Sequence, residues 1–113
     1  MASAYEVLGQ LNPAATTNET LYTVPSSTSS VISTITVCNQ ASTAGTYRLI
    51  VQKSADVSGT ILAKQYVAYD VPIAANDTTA LTLGVTLATG DVIKVYASAA
   101  TMSFQAFGSK ITA

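Results

Sequence analysis

An all-β fold, a single antiparallel β-sandwich of about eight or nine short strands, is what this sequence predicts, on three observations. Runs rich in β-branched and aromatic residues alternate with period two, as in Thr46–Lys53 and Asp91–Ser98. Turn signals built from Pro, Gly, Asn and Asp separate these runs about every 8–12 residues. No stretch of useful length carries the 3.6-residue apolar repeat of an amphipathic helix.

The first run, Ala4–Leu11, places Tyr5, Val7, Gly9 and Leu11 opposite Glu6, Leu8 and Gln10, a half-buried strand that ends at Asn12-Pro13. Asn12–Asn18 is a loop. The organising stretch is Leu21–Asn39, in which Leu21–Val24 and Val31–Cys38 flank a Pro-Ser-Ser-Thr-Ser-Ser connection and read as strand, turn, strand. The first of these belongs to a short strand, Glu19–Val24, which Pro25 closes because proline cannot donate to a ladder. Val31–Asn39 has apolar groups on both faces, Val31, Ile35 and Val37 on one, Ile32 and Cys38 on the other, and is expected at the centre of a sheet. After the turn cluster Asn39–Gly45, Thr46–Lys53 sets Tyr47, Leu49 and Val51 against Arg48, Ile50 and Gln52, and is expected to pair with Val31–Asn39. Ser54–Gly59 is a polar tip. Thr60–Tyr69 alternates again until Asp70–Pro72 breaks it, and the second half comprises Thr78–Leu83, a Gly84–Thr89 connection, Asp91–Ser98 and Thr101–Gly108.

The 113 residues fit one domain, residues 1–113, with no linker inside it; folding buries roughly two-thirds of the open-chain surface. With 49% hydrophobic and 10% charged residues, against about 25% charged in ordinary soluble domains, the outer surface is covered by Thr, Ser, Ala, Asn and Gln. A net charge of −1 gives little repulsion between copies, which points to life inside an assembly. Arg48, Lys53, Lys64, Lys94 and Lys110 are dispersed among acidic residues, so no basic run tracks a phosphate backbone and no nucleic-acid partner is expected. The N-terminus lacks a basic and an apolar signal region and no run approaches about 18 apolar residues, so no membrane partner is expected and synthesis is assigned to the cytoplasm.

Catalytic chemistry has little to work with. The chain contains no histidine, which removes the commonest general base, metal ligand and triad partner. Cys38 is the single cysteine, reads as a small buried hydrophobe, and has no activating partner nearby in sequence. Glu6, Glu19, Asp56, Asp70, Asp77 and Asp91 sit at the chain start or beside turns, where carboxylates act as caps. Asp70, Asn76 and Asp77 offer loop oxygens, but two carboxylates fall short of a calcium loop. The expectation is therefore no enzyme, no cofactor and no metal. The six tyrosines are expected at core edges and subunit contacts, not gathered in one sugar-binding patch.

Taken together, Tyr5–Pro13 (YEVLGQLNP), Thr20–Gln40, Val71–Ser98 (VPIAANDTTALTLGVTLATGDVIKVYAS) and Ser103–Thr112 (SFQAFGSKIT) resemble small virion structural proteins of tailed bacteriophages, cyanophages among them. The resemblance covers nearly the whole chain and implies a β-sandwich of jelly-roll or immunoglobulin-like type present in many copies per particle. Within that class the leading expectation is a capsid decoration, or cement, protein on the capsid surface that bridges major capsid proteins as a homo-oligomer, with a trimer favoured. A neck, baseplate or tail-fibre adaptor is the alternative within the virion, and a glycan- or receptor-binding module using Tyr22, Tyr66 or Tyr69 is the alternative outside that class. Termini and loop tips reach farthest from a sandwich, so Met1–Leu11, Asn12–Asn18 and Ser54–Gly59 are the expected contact regions, with Tyr5, Val7, Leu8, Pro13, Asp56 and Val57 as contact candidates.

Overall fold

A strand that alternates apolar and polar residues has one face that must be covered, and this chain covers it by stacking two sheets. The computed structural model describes residues 2–112. Its strands are β1 (Ala2–Leu11), β2 (Glu19–Thr23), β3 (Thr28–Asn39), β4 (Gly45–Gln52), β5 (Tyr66–Ile73), β6 (Thr78–Leu87), β7 (Val92–Ala97) and β8 (Met102–Thr112), with 3-10 turns at Ser54–Asp56 and Ala63–Gln65. One sheet has the order β1-β8-β3-β6 and the other β2-β7-β4-β5. Every pairing is antiparallel.

The pairs β1·β8, β2·β7, β3·β6 and β4·β5 are the rungs of one long hairpin whose tip is the β4–β5 loop. Rolling that hairpin up brings β3 against β8 and β4 against β7, which is the wiring of an eight-stranded jelly roll. The chain crosses from sheet to sheet where the backbone can turn sharply. Thr16 (φ 54°), Ser27 (φ 53°), Asn76 (φ 53°) and Gly90 (φ 84°) are left-handed and each lies in a connection between the two sheets.

The space between the sheets holds Ile32, Ile35 and Val37 of β3, Tyr47 and Leu49 of β4, Val95 of β7 and Phe104 of β8, all at most 2% exposed. Tyr47 and Phe104 meet edge to face at 6.3 Å and 71°. The buried Tyr22 and Ser30 hydroxyls share a hydrogen bond at 2.7 Å, tying β2 to β3 across the layers.

Several expectations change. Val31–Asn39 is central, between β8 and β6, but it does not pair with β4, which lies in the opposite sheet. Its faces also differ from strict alternation. Ile32 opposes Gly108 and Thr34 opposes Phe107, leaving Ser33 as an extra residue whose hydroxyl donates to the Phe107 carbonyl at 3.1 Å. The bulge turns Ile32 to the same side as Ile35 and Val37, and Cys38 comes out half-buried on the outer face instead of in the core. A second bulge at Leu8 separates outward Tyr5 and Val7 from inward Gly9 and Leu11. The first part of Thr60–Tyr69 forms a loop and 3-10 turn, and the strand runs on through Asp70 and Pro72 because β5 is an edge whose free side needs no donor. Thr78–Leu83 and the expected Gly84–Thr89 connection are mostly one strand, β6.

Candidate functional site

Arg48 is the one charged residue of β4, facing outward between its neighbours β7 and β5. Directly across on β7 is Tyr96. On β5, Tyr69 and Asp70 together oppose Arg48, because Tyr47 pairs with Val71 and Leu49 with Ala68. Asp70 takes a left-handed backbone (φ 49°) to make this bulge. The result sets the guanidinium between two tyrosine rings and a carboxylate. It lies 4.3 Å from the Tyr69 ring centroid and 4.2 Å from that of Tyr96. Its Nε and Nη2 donate to the two Asp70 carboxylate oxygens at 2.7 and 3.3 Å. Hydrogen bonding to Asp70 raises the Arg48 pKa further above its ordinary value, so the group is a permanent cation and no acid or base. Tyr66 adds an edge-to-face contact with Tyr69, centroids 4.8 Å apart. Tyr69 is 57% exposed. What the cluster offers chemically is a charge-balanced aromatic platform, suited to stacking against a flat apolar surface.

The tyrosines are therefore not all dispersed. Tyr66, Tyr69 and Tyr96 gather around Arg48, whereas Tyr22 is buried with its hydroxyl bound to Ser30 and is not available to a ligand. Asp70 is engaged with Arg48, and the Asp77 carboxylate accepts from the Thr78 amide, so these two carboxylates do not converge with Asn76 on a cation. Among the described residues no three His, Cys, Asp or Glu side chains come together. Asp91 accepts from the Ser54 and Ala88 amides and Glu19 from that of Ala14, the capping role expected of turn carboxylates.

The six contact candidates separate onto different faces. Tyr5 is 90% and Val7 49% exposed on the outer face of the first sheet, where Val7 opposes Phe107. With Ser33 and Gly108 they line a shallow depression of about 380 Å³. Leu8 is half-buried against the core and Pro13 is buried, so neither offers much to a partner. Asp56 and Val57 are half-buried in the β4–β5 loop, which lies over the outer face of the other sheet. That loop covers Ile50 and Gln52, both 0% exposed, while the Gln52 side-chain amide donates to Gln65 at 3.0 Å and Lys94 Nζ to the Val57 carbonyl at 3.3 Å. Met1 lies outside the described residues.

Charge separates in the same way. In the whole β1-β8-β3-β6 sheet the charged residues of the described strands are Glu6 and Lys110, which pair with each other at 2.8 Å. Every other charged residue lies in the second sheet or in a loop. Sequence reading missed Arg48 as a cluster centre; an arginine midway along an alternating strand was the available signal.

These features define an eight-stranded jelly roll with one neutral face and one aromatic, charge-bearing face. No protein-family model matches the chain, and no curated protein matches it. Among solved structures, a chain of infectious bursal disease virus, Gx strain, superposes with TM-score 0.51 at 13% identity, over 96% of this chain and 31% of that one. A chain of the Gt strain gives TM-score 0.47 at 12% identity over the same shares. Neither is named as a bacteriophage protein. This chain spans about a third of the length of those virus chains, and at such identity the likeness is one of fold.

Proposed function

We propose that this protein is a non-enzymatic virion structural protein, and within that class a capsid decoration protein that bridges neighbouring shell proteins. The observation that carries the reading is the β1-β8-β3-β6 sheet, whose outer face is built largely from Thr, Ser, Gln, Val, Tyr and Phe and whose described strands carry only Glu6 and Lys110 as charges, paired with each other and off that face by strand alternation. A face of this kind loses little on desolvation against a neighbour. The fold shared with a virus chain is consistent with that role. Mechanically, the protein adds buried interface across adjacent capsomers, so loss of a shell subunit requires breaking those contacts as well. Tyr5 and Val7, beside Phe107, are the contact residues this reading retains, and a tailed-phage particle with a symmetric oligomer, a trimer favoured, is its fullest form. No nucleic acid, membrane or cofactor enters the mechanism.

The test is the copy number per particle relative to the major shell protein, by quantitative mass spectrometry of purified virions. A ratio near that of the shell lattice supports decoration. A small fraction moves the protein to the neck, baseplate or fibre and removes the cement mechanism. The Tyr66–Tyr69–Arg48–Asp70 platform favours a second reading, glycan or receptor binding. Glycan-array binding that Tyr69→Ala abolishes would support it.

A further inference from the structure

The sandwich has four free edges, β1 and β6 in one sheet, β2 and β5 in the other. Exposed edges invite pairing with other chains, and three of these carry devices that discourage it. β1 has Glu6 and the bulge at Leu8. β2 has five residues, one of them Glu19, and a register shift. β5 has Pro72 and the Asp70 bulge locked by Arg48.

β6 has a register shift against β3, where Leu83 and Gly84 have no partner, but it has none of the charges or prolines that guard the other three. Its ten residues, TTALTLGVTL, contain no charge and no proline, and exposed and half-buried side chains alternate from Thr78 to Val85 and on to buried Leu87. Its backbone is half used. The Asn39 amide donates to the Asp77 carbonyl at 2.9 Å, and the register runs on through Val37–Thr79 and Ile35–Leu81. By the alternation of antiparallel ladders, the amides and carbonyls of Thr78, Ala80 and Thr82 point to the free side. The inward row, Leu81, Leu83 and Val85, packs on the core but stays half-buried at the open flank.

We propose that β6 is a pairing edge and that its occupant is the β6 strand of a second copy of this chain, antiparallel across a two-fold axis through Thr82. The occupant must be uncharged and alternate in the same phase, since a charge of either sign would meet no partner beside β6. β6 itself meets that requirement. Centred on Thr82, the pairing sets Leu81 against Leu83, Thr79 against Val85, Ala80 against Gly84 and Thr78 against Thr86, so apolar row meets apolar row and outer row meets outer row. Such a contact is isologous and closes at two copies, so it does not propagate into fibres. The inference stands on the edge chemistry and not on the virion reading, so either fails without the other.

The experiment is the mass of the purified full chain by light scattering over a dilution series, for wild type, Thr82→Lys/Thr86→Lys and Gln10→Lys. Thr82, Thr86 and Gln10 are exposed, and far-ultraviolet circular dichroism verifies folding. Wild type is expected to hold an even number of chains, halved by the lysine pair and unchanged by Gln10→Lys. In a Cys38→Ser background, Thr82→Cys is expected to oxidise to a covalent dimer, because residues facing each other in a bonded antiparallel pair sit about 5.5 Å apart, within disulfide reach. A single-chain mass at every concentration, an odd number of chains, or an even number that survives both lysines overturns the proposal. Should the lysine variant not fold, the cysteine variant decides alone, and absence of its covalent dimer overturns the proposal.

Discussion

Gly108→Ala is the sharpest test of how the two central strands fit. Gly108 lies on β8 opposite Ile32, beside the Ser33 bulge of β3. A Cβ built there overlaps the Val31 carbonyl oxygen and stands 3.0 Å from both the Val31 carbonyl carbon and Ile32 Cα. All three are backbone atoms, so no rotamer change relieves the contact and one strand must move. Overpacking of this kind costs about 1–3 kcal/mol, and losing one or two ladder hydrogen bonds adds about 0.5–1.5 kcal/mol each. The lower entropy of the unfolded alanine chain offsets about 0.4–1 kcal/mol. The expected net loss is about 2–4 kcal/mol, or a midpoint lowered by about 10–15 °C for a domain of this size. Gly84→Ala is the matched control, since nothing lies within 4 Å of its Cβ, and it should be neutral or stabilising by up to about 1 kcal/mol. Urea and thermal unfolding of both variants at one protein concentration measure this. Equal stabilities for the two, or a Gly108→Ala variant within about 0.5 kcal/mol of wild type, would refute the close approach of β3 and β8.

Arg48→Ala should cost about 1–2 kcal/mol in urea unfolding, a modest figure because Asp70 is 43% exposed and solvent screens the pair. Arg48→Lys should recover less than half, since an ammonium cannot stack on two rings and bind both carboxylate oxygens. Tyr22→Phe and Ser30→Ala should each cost about 1–2 kcal/mol by stranding the other hydroxyl in the core, and the double variant should cost less than the sum of the two. Asp91→Ala removes an acceptor for two amides, Ser54 and Ala88, each at 2.9 Å. A loss of about 1–2 kcal/mol and faster hydrogen exchange at those two amides are expected, with unchanged protection in β3 as the contrast.

Strand identity was legible because a strand's chemistry is local. The alternation in Thr46–Lys53 and the Gly90-Asp91 turn before β7 each report on residues within reach of one another along the chain. Faces were legible only as far as the nearest bulge. Ser33, Leu8 and Asp70 each insert one residue into a ladder, and whether a ladder tolerates an extra residue depends on the partner strand, which the local pattern does not contain. The Arg48 cluster shows the same limit, since Arg48, Tyr69, Asp70 and Tyr96 come from three strands and only the Asp70 bulge aims them at one another.

By itself, then, the sequence determined an all-β chain with low charge, no histidine and most of its strands. Composition and period-two patterning are properties of short windows, and burial of an apolar row is favourable wherever the strand is placed. The tertiary structure alone decided that β3 joins β8 and β6 instead of β4, that the charges collect away from one sheet, and that β6 is left as a bare edge. Those outcomes depend on how a long hairpin closes on itself, where pairing between strands far apart in sequence is selected by the fit of whole faces and not by any residue's neighbours.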